Sequence, residues 1–396
     1  MENNQSIKGA IWAQAFRPLF LGGSLFSVLA IGIWISVLNG YWTFTPYANI
    51  VFWHAHEMLF GFVAAIVVGF LLTAIQNWTG LRATHGKPLI GLFTLWLIAR
   101  ILLVTNAIEL GWFIAIIDIS FLLMATGLAA QLVLKAHNYR NIVFIPILLL
   151  LAIANLLTHL SVILNKPELF SWGMHAAIML ITLVMTILGG RVIPLFTARG
   201  TQTPPAKPIA LIEKFVLIST GVIALGFISN SISIVPKHII AAVFATAALS
   251  HAWRAIRWYN RKIFSTPLIW SLHLANGFIP IGLALFSLHY LGFDISKSTA
   301  LHGLTTGAMG SLILAMLARV SLGHSGRTLT PHPIMTLAFL LAANAGLLRL
   351  VAGVYPNILG GNGYFVSGIA WIIAYSIYCI IYFKILTTPR ADGKPG

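Results

Sequence analysis

Long apolar runs recur along nearly the whole chain, and short stretches rich in glycine, proline or charge separate them. Twelve of these runs are about 20 residues long, which is the length of an α-helix that crosses a bilayer. We therefore predict an all-α polytopic membrane protein with about 12 transmembrane helices in one bundle, forming a single integral membrane domain over residues 1–396. The predicted spans are 19–38, 50–77, 88–104, 109–134, 141–164, 168–190, 209–229, 235–258, 267–290, 298–320, 332–353 and 364–386.

The composition agrees with this pattern, since 59% of the residues are hydrophobic and only 8% are charged. Soluble domains carry about 25% charged residues. The single cysteine, Cys379, excludes a disulfide within the chain and a thiolate metal cluster. No cleavable signal peptide is predicted, because the first apolar run begins near Leu19 and many more follow it.

The positive charges favour one orientation of the spans. With the N-terminus in the cytoplasm, nineteen Lys and Arg residues fall on the inner side and five on the outer side. This asymmetry predicts cytoplasmic N- and C-termini. The long basic loop at 191–208 is then cytoplasmic and separates two halves of six helices. The net charge of +16 is scattered over short loops, so it indicates contact with a lipid bilayer and not with nucleic acid.

Several histidines are predicted to share one depth in the membrane. In this orientation five of them, from four helices, lie in its outer third, and a separate pair, His251 and His273, lies in the inner half. Ionisable residues inside a membrane are costly and usually functional. Imidazole is also a common ligand of copper, iron and zinc, so the cluster predicts a metal or cofactor site. For any single histidine, a hydrogen bond to a carbonyl or a lipid headgroup is the alternative. The five outer residues are His54, His56, His159, His175 and His302.

The segment WHAHEMLFGF contains the densest chemistry in the chain. At 3.6 residues per turn, His54 and His56 point about 200° apart and cannot bind one metal from a regular helix. His54, Glu57 and Met58 share a face through their three- and four-residue spacing. A carboxylate beside a ligating histidine orients the ring or transfers protons, which makes Glu57 and His54 candidate catalytic residues. The alternative for Glu57 is a salt bridge to Arg100.

A second informative segment begins with LHGLTTGAMG. His302 is followed by small residues, which permit the close approach of a helix or of a flat ring. Its polar end, ARVSLGHSGR, resembles the end of the sixth span, GGRVIPLFTARG. Both basic motifs are candidates for binding anions or lipid headgroups, and both are equally explained as positive-inside anchors. Their basic residues are Arg191, Arg199, Arg319, His324 and Arg327.

Six segments together resemble the NnrS family over nearly the whole chain: FRPLFLGG, WHAHEMLFGF, NLLTHL, GGRVIPLFT, PLIWSLHLANGFIPIG and LHGLTTGAMGSLILAMLARVSLGHSGR. The resemblance implies a multi-pass protein of the bacterial cell inner membrane that contains haem, most simply b-type, and copper. It also implies a role in the nitric oxide response and in protection from nitrosative stress, with an electron donor or a nitric oxide reductase system as partner. It places His54, His56, His159, His273 and His302 at family motif positions.

A more distant similarity to haem-copper oxidases and nitric oxide reductases concerns the second, sixth and tenth helices. It implies a haem held by His56 and His302. The nearby copper or proton-transfer site is then expected from His54, Glu57, Met58, His159 and His175. The seventh span contains no histidine, so a complete oxidase-type binuclear site is not expected. The interpretation of His273 divides between a second cofactor position on the inner side and a polar contact with Asn276.

The leading hypothesis is therefore a haem-containing membrane protein that handles nitric oxide. If it is an enzyme, it is a metal-dependent oxidoreductase acting on nitric oxide or a nitrosyl species. A rival is a transporter of a metal, haem or small anion, in which Asp118, Glu57 and the histidines form a path. A third hypothesis is a factor that delivers haem or copper to a nitric oxide reductase.

Overall fold

The computed structural model describes residues 7–394, and this part of the chain contains helices and no strand. Twelve helices are long and apolar enough to cross a membrane, which confirms the predicted fold class. They are labelled in chain order as α1 (Phe16–Leu38), α2 (Ile50–Thr79), α3 (Lys87–Val104), α4 (Ile108–Lys135), α5 (Tyr139–Ile163), α6 (Pro167–Thr201), α7 (Ala210–Ile228), α8 (Lys237–Trp258), α9 (Pro267–Tyr290), α10 (Lys297–His324), α11 (Ile334–Val354) and α12 (Gly363–Thr387).

Most helix ends lie within a few residues of the predicted ones, and α6 is the largest exception. It was expected to end at 190, but it continues to Thr201. Pro194 lies inside this extension. Membrane helices tolerate a proline when neighbouring groups satisfy the freed carbonyl. A stronger stop follows at Pro204 and Pro205, because a residue before proline is disfavoured in helical conformation.

By its internal contacts the chain divides into two compact units. Unit 1 contains α1 to α5, and unit 2 contains α7 to α9 and α11, while α6, α10 and α12 each contribute to both. Unit 1 has a core of tightly buried apolar residues that includes Tyr47, Phe52 and Trp53. The residues of unit 1 are 1–177, 320–329 and 378–396, and those of unit 2 are 178–319 and 330–377.

The helices differ in how much of their apolar surface the protein covers. In α2, 83% of the most apolar window is buried, whereas in α1, α3 and α7 the share is 33%. Large aliphatic side chains on other spans are exposed, among them Leu225 at 64%, Leu249 at 72% and Ile380 at 73%. Exposed leucine and isoleucine on long apolar helices fit contact with lipid hydrocarbon.

Two spans change their helical geometry directly after a histidine. In α2 the chain becomes π-helical over Glu57–Val63, immediately after His56. In α10 it becomes π-helical over Gly303–Gly310, immediately after His302. π-Helical segments are rare and often occur at functional sites. Because they hold more residues per turn, the angular spacing of an ordinary α-helix does not apply across them.

Candidate functional site

A buried polar network occupies the interior of unit 1. Four helices contribute to it, and none of its residues is more than 3% exposed. Its members are His56 and Glu57 from α2, Arg100 from α3, Asp118 from α4, and Asn155 and His159 from α5. Six ionisable or amide side chains at this depth are expensive unless each finds a partner, so the partners define the site.

His56 is held on both ring nitrogens. Its Nδ1 lies 3.0 Å from Oε1 of Glu57, and its Nε2 lies 2.8 Å from Oδ1 of Asn155. The same Nε2 is 3.3 Å from Oδ2 of Asp118, and Nε2 of His159 is 3.2 Å from that oxygen. One carboxylate oxygen therefore links the two imidazoles, whose ring centroids are 5.1 Å apart.

Arg100 joins the two carboxylates. Its Nη1 donates to Oε1 of Glu57 at 2.7 Å, and its Nη2 donates to Oδ1 of Asp118. Asn155 adds a hydrogen bond from Nδ2 to Oδ2 of Asp118 at 2.7 Å. The two carboxylates and the guanidinium sum to one negative charge, and every atom that faces the His56 ring nitrogens is an acceptor oxygen. The network is thus suited to one further positive charge, which is either a second proton on His56 or a metal ion that replaces it.

Local sequence explains how these groups reach one another. Asn155 and His159 are four residues apart on α5, so they project from the same helix face. Gly61 makes room for Arg100, since a Cβ at this position would lie 2.6 Å from Nη1 of Arg100. The carbonyl oxygen of Gly61 accepts a hydrogen bond from Nε1 of Trp96 at 2.7 Å, and this bond connects α2 to α3 beside the network.

Aromatic rings cover one side of the network. Phe52 stacks on His56 with a centroid distance of 5.3 Å and an interplanar angle of 10°. Tyr47 lies 5.8 Å from the His159 ring, and Phe170 lies 5.0 Å from Phe52. Burial raises the pKa of the Tyr47 phenol to about 12, and within residues 7–394 its hydroxyl has no hydrogen-bond partner. These rings lower the local dielectric and strengthen the charge interactions behind them.

The network also contains a candidate metal centre. One ligand atom each from His56, Asp118 and His159 all lie within 4.8 Å of one another. Two imidazoles and a carboxylate suit a transition metal. Nδ1 of His159 and Oε2 of Glu57 are buried and have no hydrogen-bond partner among the described residues, so two ligand atoms remain for an additional group. These residues therefore fit a metal ion, provided that it coexists with Arg100.

Haem ligation by His56 is harder to reconcile with these contacts. Both ring nitrogens of His56 already have partners, and Phe52 covers one face of the ring. An iron atom on His56 requires Asn155 or Glu57 to move away. The pairing of His56 with His302 as axial ligands stays a prediction.

His302 and His175 have a different arrangement. Nδ1 of His302 donates to the Ser298 carbonyl at 2.7 Å, and Nδ1 of His175 donates to the Ser171 carbonyl. A carbonyl can only accept, so in each ring the lone pair lies on Nε2. Metal-binding histidines commonly have this arrangement. Both rings are half-buried, with His175 in unit 1 and His302 in unit 2.

The remaining residues of the predicted outer cluster have structural contacts. His54 is half-buried and stacks on Trp34, with a centroid distance of 4.1 Å. Met58 packs against the apolar core of unit 1. Glu57, which ordinary helical spacing places on the face of His54, instead contacts its chain neighbour His56 and Arg100 on α3. The alternative prediction of a Glu57–Arg100 salt bridge is confirmed.

The glycines that follow His302 serve close helix packing. A Cβ at Gly307 would lie 2.6 Å from Cδ1 of Phe278 on α9. A Cβ at Gly303 would lie 2.9 Å from Cα of Gly282, and one at Gly346 would lie 2.6 Å from Cα of Gly307. Of the two interpretations of these small residues, the structure supports approach of helices α9 and α11.

The two histidines predicted for the inner half have separate partners. Nε2 of His251 is 3.0 Å from Oγ1 of Thr220. Nε2 of His273 is 2.8 Å from Oγ1 of Thr197, so its polar contact is with α6 and not with Asn276. In each case a threonine on a neighbouring span satisfies one ring nitrogen.

The residues of the two predicted basic motifs differ in their burial and in their contacts. Arg191 is half-buried, Arg199 is exposed, and Arg319 is buried. In unit 1, His324 packs against Phe16 at 5.8 Å. Arg327 donates to the Ser325 carbonyl at 3.3 Å and to Oγ1 of Thr388 at 3.1 Å. The second bond connects Arg327 to the residue that follows α12.

Sequence reasoning did not assign Asn155 to the site, and it treated Asp118 only as a possible path residue. Two signals were available. Asp118 and Arg100 are charged residues within predicted spans, and such charges usually pair. Asn155 precedes His159 by one helical turn in NLLTHL. Neither signal says which helices are neighbours.

Comparison with known proteins completes this description. The family described as NnrS protein matches residues 10–390, which is nearly the whole chain. A search among curated proteins found no match. On the evidence of a match of this length, together with twelve apolar helices and a buried histidine–aspartate network, the chain is a multi-span membrane protein that belongs to the NnrS family.

Proposed function

We propose that this protein binds haem and copper in the bacterial inner membrane, handles nitric oxide and thereby relieves nitrosative stress. The observation that carries the proposal is the buried His56–Asp118–His159 group in a chain of the NnrS family. The family resemblance supplies the cofactors and the physiological role. The two carboxylates outweigh the Arg100 charge by one, which supports a cation at this place. Nδ1 of His159 and Oε2 of Glu57, which have no hydrogen-bond partner among the described residues, could bind it.

The residues divide by chemistry. His56, His159 and Asp118 are the candidate copper ligands, and Asn155 would leave Nε2 of His56 when the metal binds. His302 is the better candidate for haem iron, because its Nδ1 donates to the Ser298 carbonyl and the lone pair therefore lies on Nε2. Either metal supplies a site that binds nitric oxide, and the apolar surroundings admit a small uncharged gas. If the protein is an enzyme, it is an oxidoreductase that needs an external electron donor.

The protein's own contribution is positioning. Oδ2 of Asp118 lies within reach of both imidazoles, and Arg100 fixes both carboxylates. Glu57 accepts from Nδ1 of His56, which orients that ring. Phe52 and Tyr47 exclude water from one side. Precise holding of ligands by such partners controls metal affinity.

A transporter of a metal, haem or small anion is the second candidate. One observation favours it: a charged network of Arg100, Glu57 and Asp118 buried inside a membrane unit, as transport paths often contain. A cofactor-delivery factor would differ from both by releasing its haem or copper readily to an acceptor protein.

The experiment is spectroscopic. The protein is produced with ample haem and copper, and optical spectra are recorded oxidised, reduced with dithionite and exposed to nitric oxide, with copper measured by elemental analysis. We expect a Soret band that nitric oxide shifts. His302→Ala should alter the haem spectrum, and His159→Ala should lower copper content at least about tenfold while haem is retained.

His332→Ala is the matched control, since His332 is exposed in the segment before α11. It should change neither spectrum nor copper content. A colourless, copper-free protein would overturn the proposal and place the transporter first. Its test would then be uptake of metal or anion by vesicles containing the protein.

A further inference from the structure

Four arginines are buried among the described residues, and they differ in how their charge is compensated. Arg100 has two carboxylates, and Arg254 has Glu213 at 3.4 Å together with the Thr186 carbonyl. Arg17 donates to the carbonyls of Leu386 and Thr388. Arg319 is the fourth, at 6% exposure.

Arg319 differs because its partner is an aromatic ring. Its guanidinium carbon lies 3.8 Å from the ring centroid of Phe196 on α6. Within the described part of the chain, no carboxylate, carbonyl or hydroxyl accepts a hydrogen bond from it. A guanidinium has five N–H donors and keeps its charge. A cation–π contact covers one face of that plane and satisfies none of those donors.

A second positive charge lies near the uncompensated charge of Arg319. Arg199 lies three residues beyond Phe196 on α6, so it projects from the same side of that helix as the ring that Arg319 contacts. Neither residue takes part in an ion pair within residues 7–394. A buried charge beside a second charge of the same sign is unfavourable, and an anion bound by both would offset the repulsion.

We propose that Arg319 and Arg199, with Phe196 as a platform, form a binding site for an oxyanion in unit 2. A planar guanidinium presents paired N–H donors that match two oxygens of a phosphate-like group. The ring of Phe196 contacts the face of the guanidinium, and the N–H donors at its edge are the groups that would bind the ligand. The ligand is the phosphate of an anionic lipid headgroup or a small free oxyanion, which share this chemistry.

This site is separate in kind from the candidate metal centre, since no residue is common to the two. Arg327, which sequence reasoning grouped with Arg319, has donor partners within the chain and is not part of the site. The proposal therefore selects Arg319 and Arg199 from the two basic motifs.

The test measures thermal unfolding of the purified full chain as inorganic phosphate or nitrite is titrated in chloride-free buffer. Parallel samples are nanodiscs of phosphatidylcholine alone and of phosphatidylcholine with phosphatidylglycerol. We expect a saturable rise of at least about 3 °C in the unfolding temperature with one class of ligand. A rise with phosphate or nitrite in detergent identifies a free oxyanion. A rise confined to phosphatidylglycerol nanodiscs identifies a lipid headgroup.

The variants are Arg319→Met, Arg319→Lys and Arg199→Gln, with Arg327→Gln as the control of similar charge and position in sequence. Arg319→Met should abolish the rise, and Arg319→Lys should weaken binding at least about tenfold because the paired donors are lost. Arg199→Gln alters an exposed residue, so it tests the site without risk to folding. Arg327→Gln should retain the rise.

The overturning result is equally specific. No ligand-dependent rise in the wild type, together with a higher unfolding temperature for Arg319→Met in every sample, means that Arg319 is a buried charge compensated by water alone. A rise that Arg319→Met, Arg319→Lys and Arg199→Gln all retain would place the anion elsewhere and would also overturn the site.

Discussion

At the scale of single residues, Asp118 decides whether the network holds together. Its Oδ1 accepts from Arg100, and its Oδ2 lies within 3.3 Å of Asn155, His56 and His159. Only 2% of the residue is exposed, so water does not stabilise its charge. Each of these partners is therefore needed, and loss of the charge disturbs three helices at once.

We predict that Asp118→Asn lowers the free energy of unfolding by about 3 kcal/mol, because breaking a buried ion pair leaves an uncompensated group. Thermal or denaturant unfolding in detergent measures the change. Asp294→Asn, in the exposed segment before α10, is the control and should be neutral. Equal stability of the two variants would show that the network contributes specificity and not stability.

Tyr47 gives a prediction of the opposite sign. Its hydroxyl is buried without a partner, so Tyr47→Phe should keep or slightly raise stability at pH 7. Its pKa is raised to about 12, which means that the folded protein retains the proton more tightly than the unfolded chain. The stability of the wild type should therefore fall from about pH 10 to 12, and the difference from Tyr47→Phe should appear in that range.

Unfolding curves of the two proteins at pH 8, 10 and 11.5 make the comparison. Phe44→Leu, a nearby half-buried change without a titrating group, serves as the control for local packing. A pH-independent loss in Tyr47→Phe would mean that the hydroxyl has a partner in solution.

At the scale of elements, α10 shows how glycine sets the distance between helices. Gly307 contacts Phe278 on α9 and Gly346 on α11 so closely that no side chain fits. Small residues allow such close approach in membranes, where helix association depends on van der Waals packing. Gly307 belongs to the π-helical segment that follows His302, so helix packing and the position of that histidine are linked.

We predict that Gly307→Ala lowers the free energy of unfolding by about 1–3 kcal/mol through overpacking. Gly221→Ala on α7 is the matched control, since a Cβ there meets nothing within 4 Å. It should be neutral or slightly stabilising, because alanine favours helix. If Gly307→Ala instead keeps its stability and loses haem, the glycines face a cofactor and not a helix.

At the scale of the whole molecule, the charge asymmetry predicts the orientation in the membrane. Nineteen Lys and Arg residues against five predict cytoplasmic termini, and an even number of spans is consistent with both termini on one side. The apolar exposed faces determine that the molecule lies in lipid, but they carry no information on direction.

This orientation is testable with reporter fusions. A fluorescent protein fused after residue 396 should fluoresce, and alkaline phosphatase fused after residue 294, between α9 and α10, should be active. Phosphatase fused after residue 329, between α10 and α11, is the control and should be inactive. The reverse pattern would invert the topology and place the Arg319 site on the other side of the membrane.

The sequence by itself determined the twelve spans, because length and hydropathy leave an apolar segment few alternatives in a membrane. It also identified the charged and histidine residues, since each is conspicuous in an apolar chain. The ends of α6 and α10 were less certain, because a single proline or a basic residue does not stop a helix whose neighbours satisfy its backbone.

Only the tertiary structure decided which of these residues meet. His56 and His159 share Asp118, whereas His54 stacks on Trp34. Glu57 contacts its chain neighbour His56 and Arg100 on α3, and helical spacing alone could not foresee this pairing. Asn155 joins the site because α5 lies beside α2 and α4. Hydropathy specifies that a helix crosses the membrane, but the choice of neighbours depends on side-chain packing and on the pairing of buried charges.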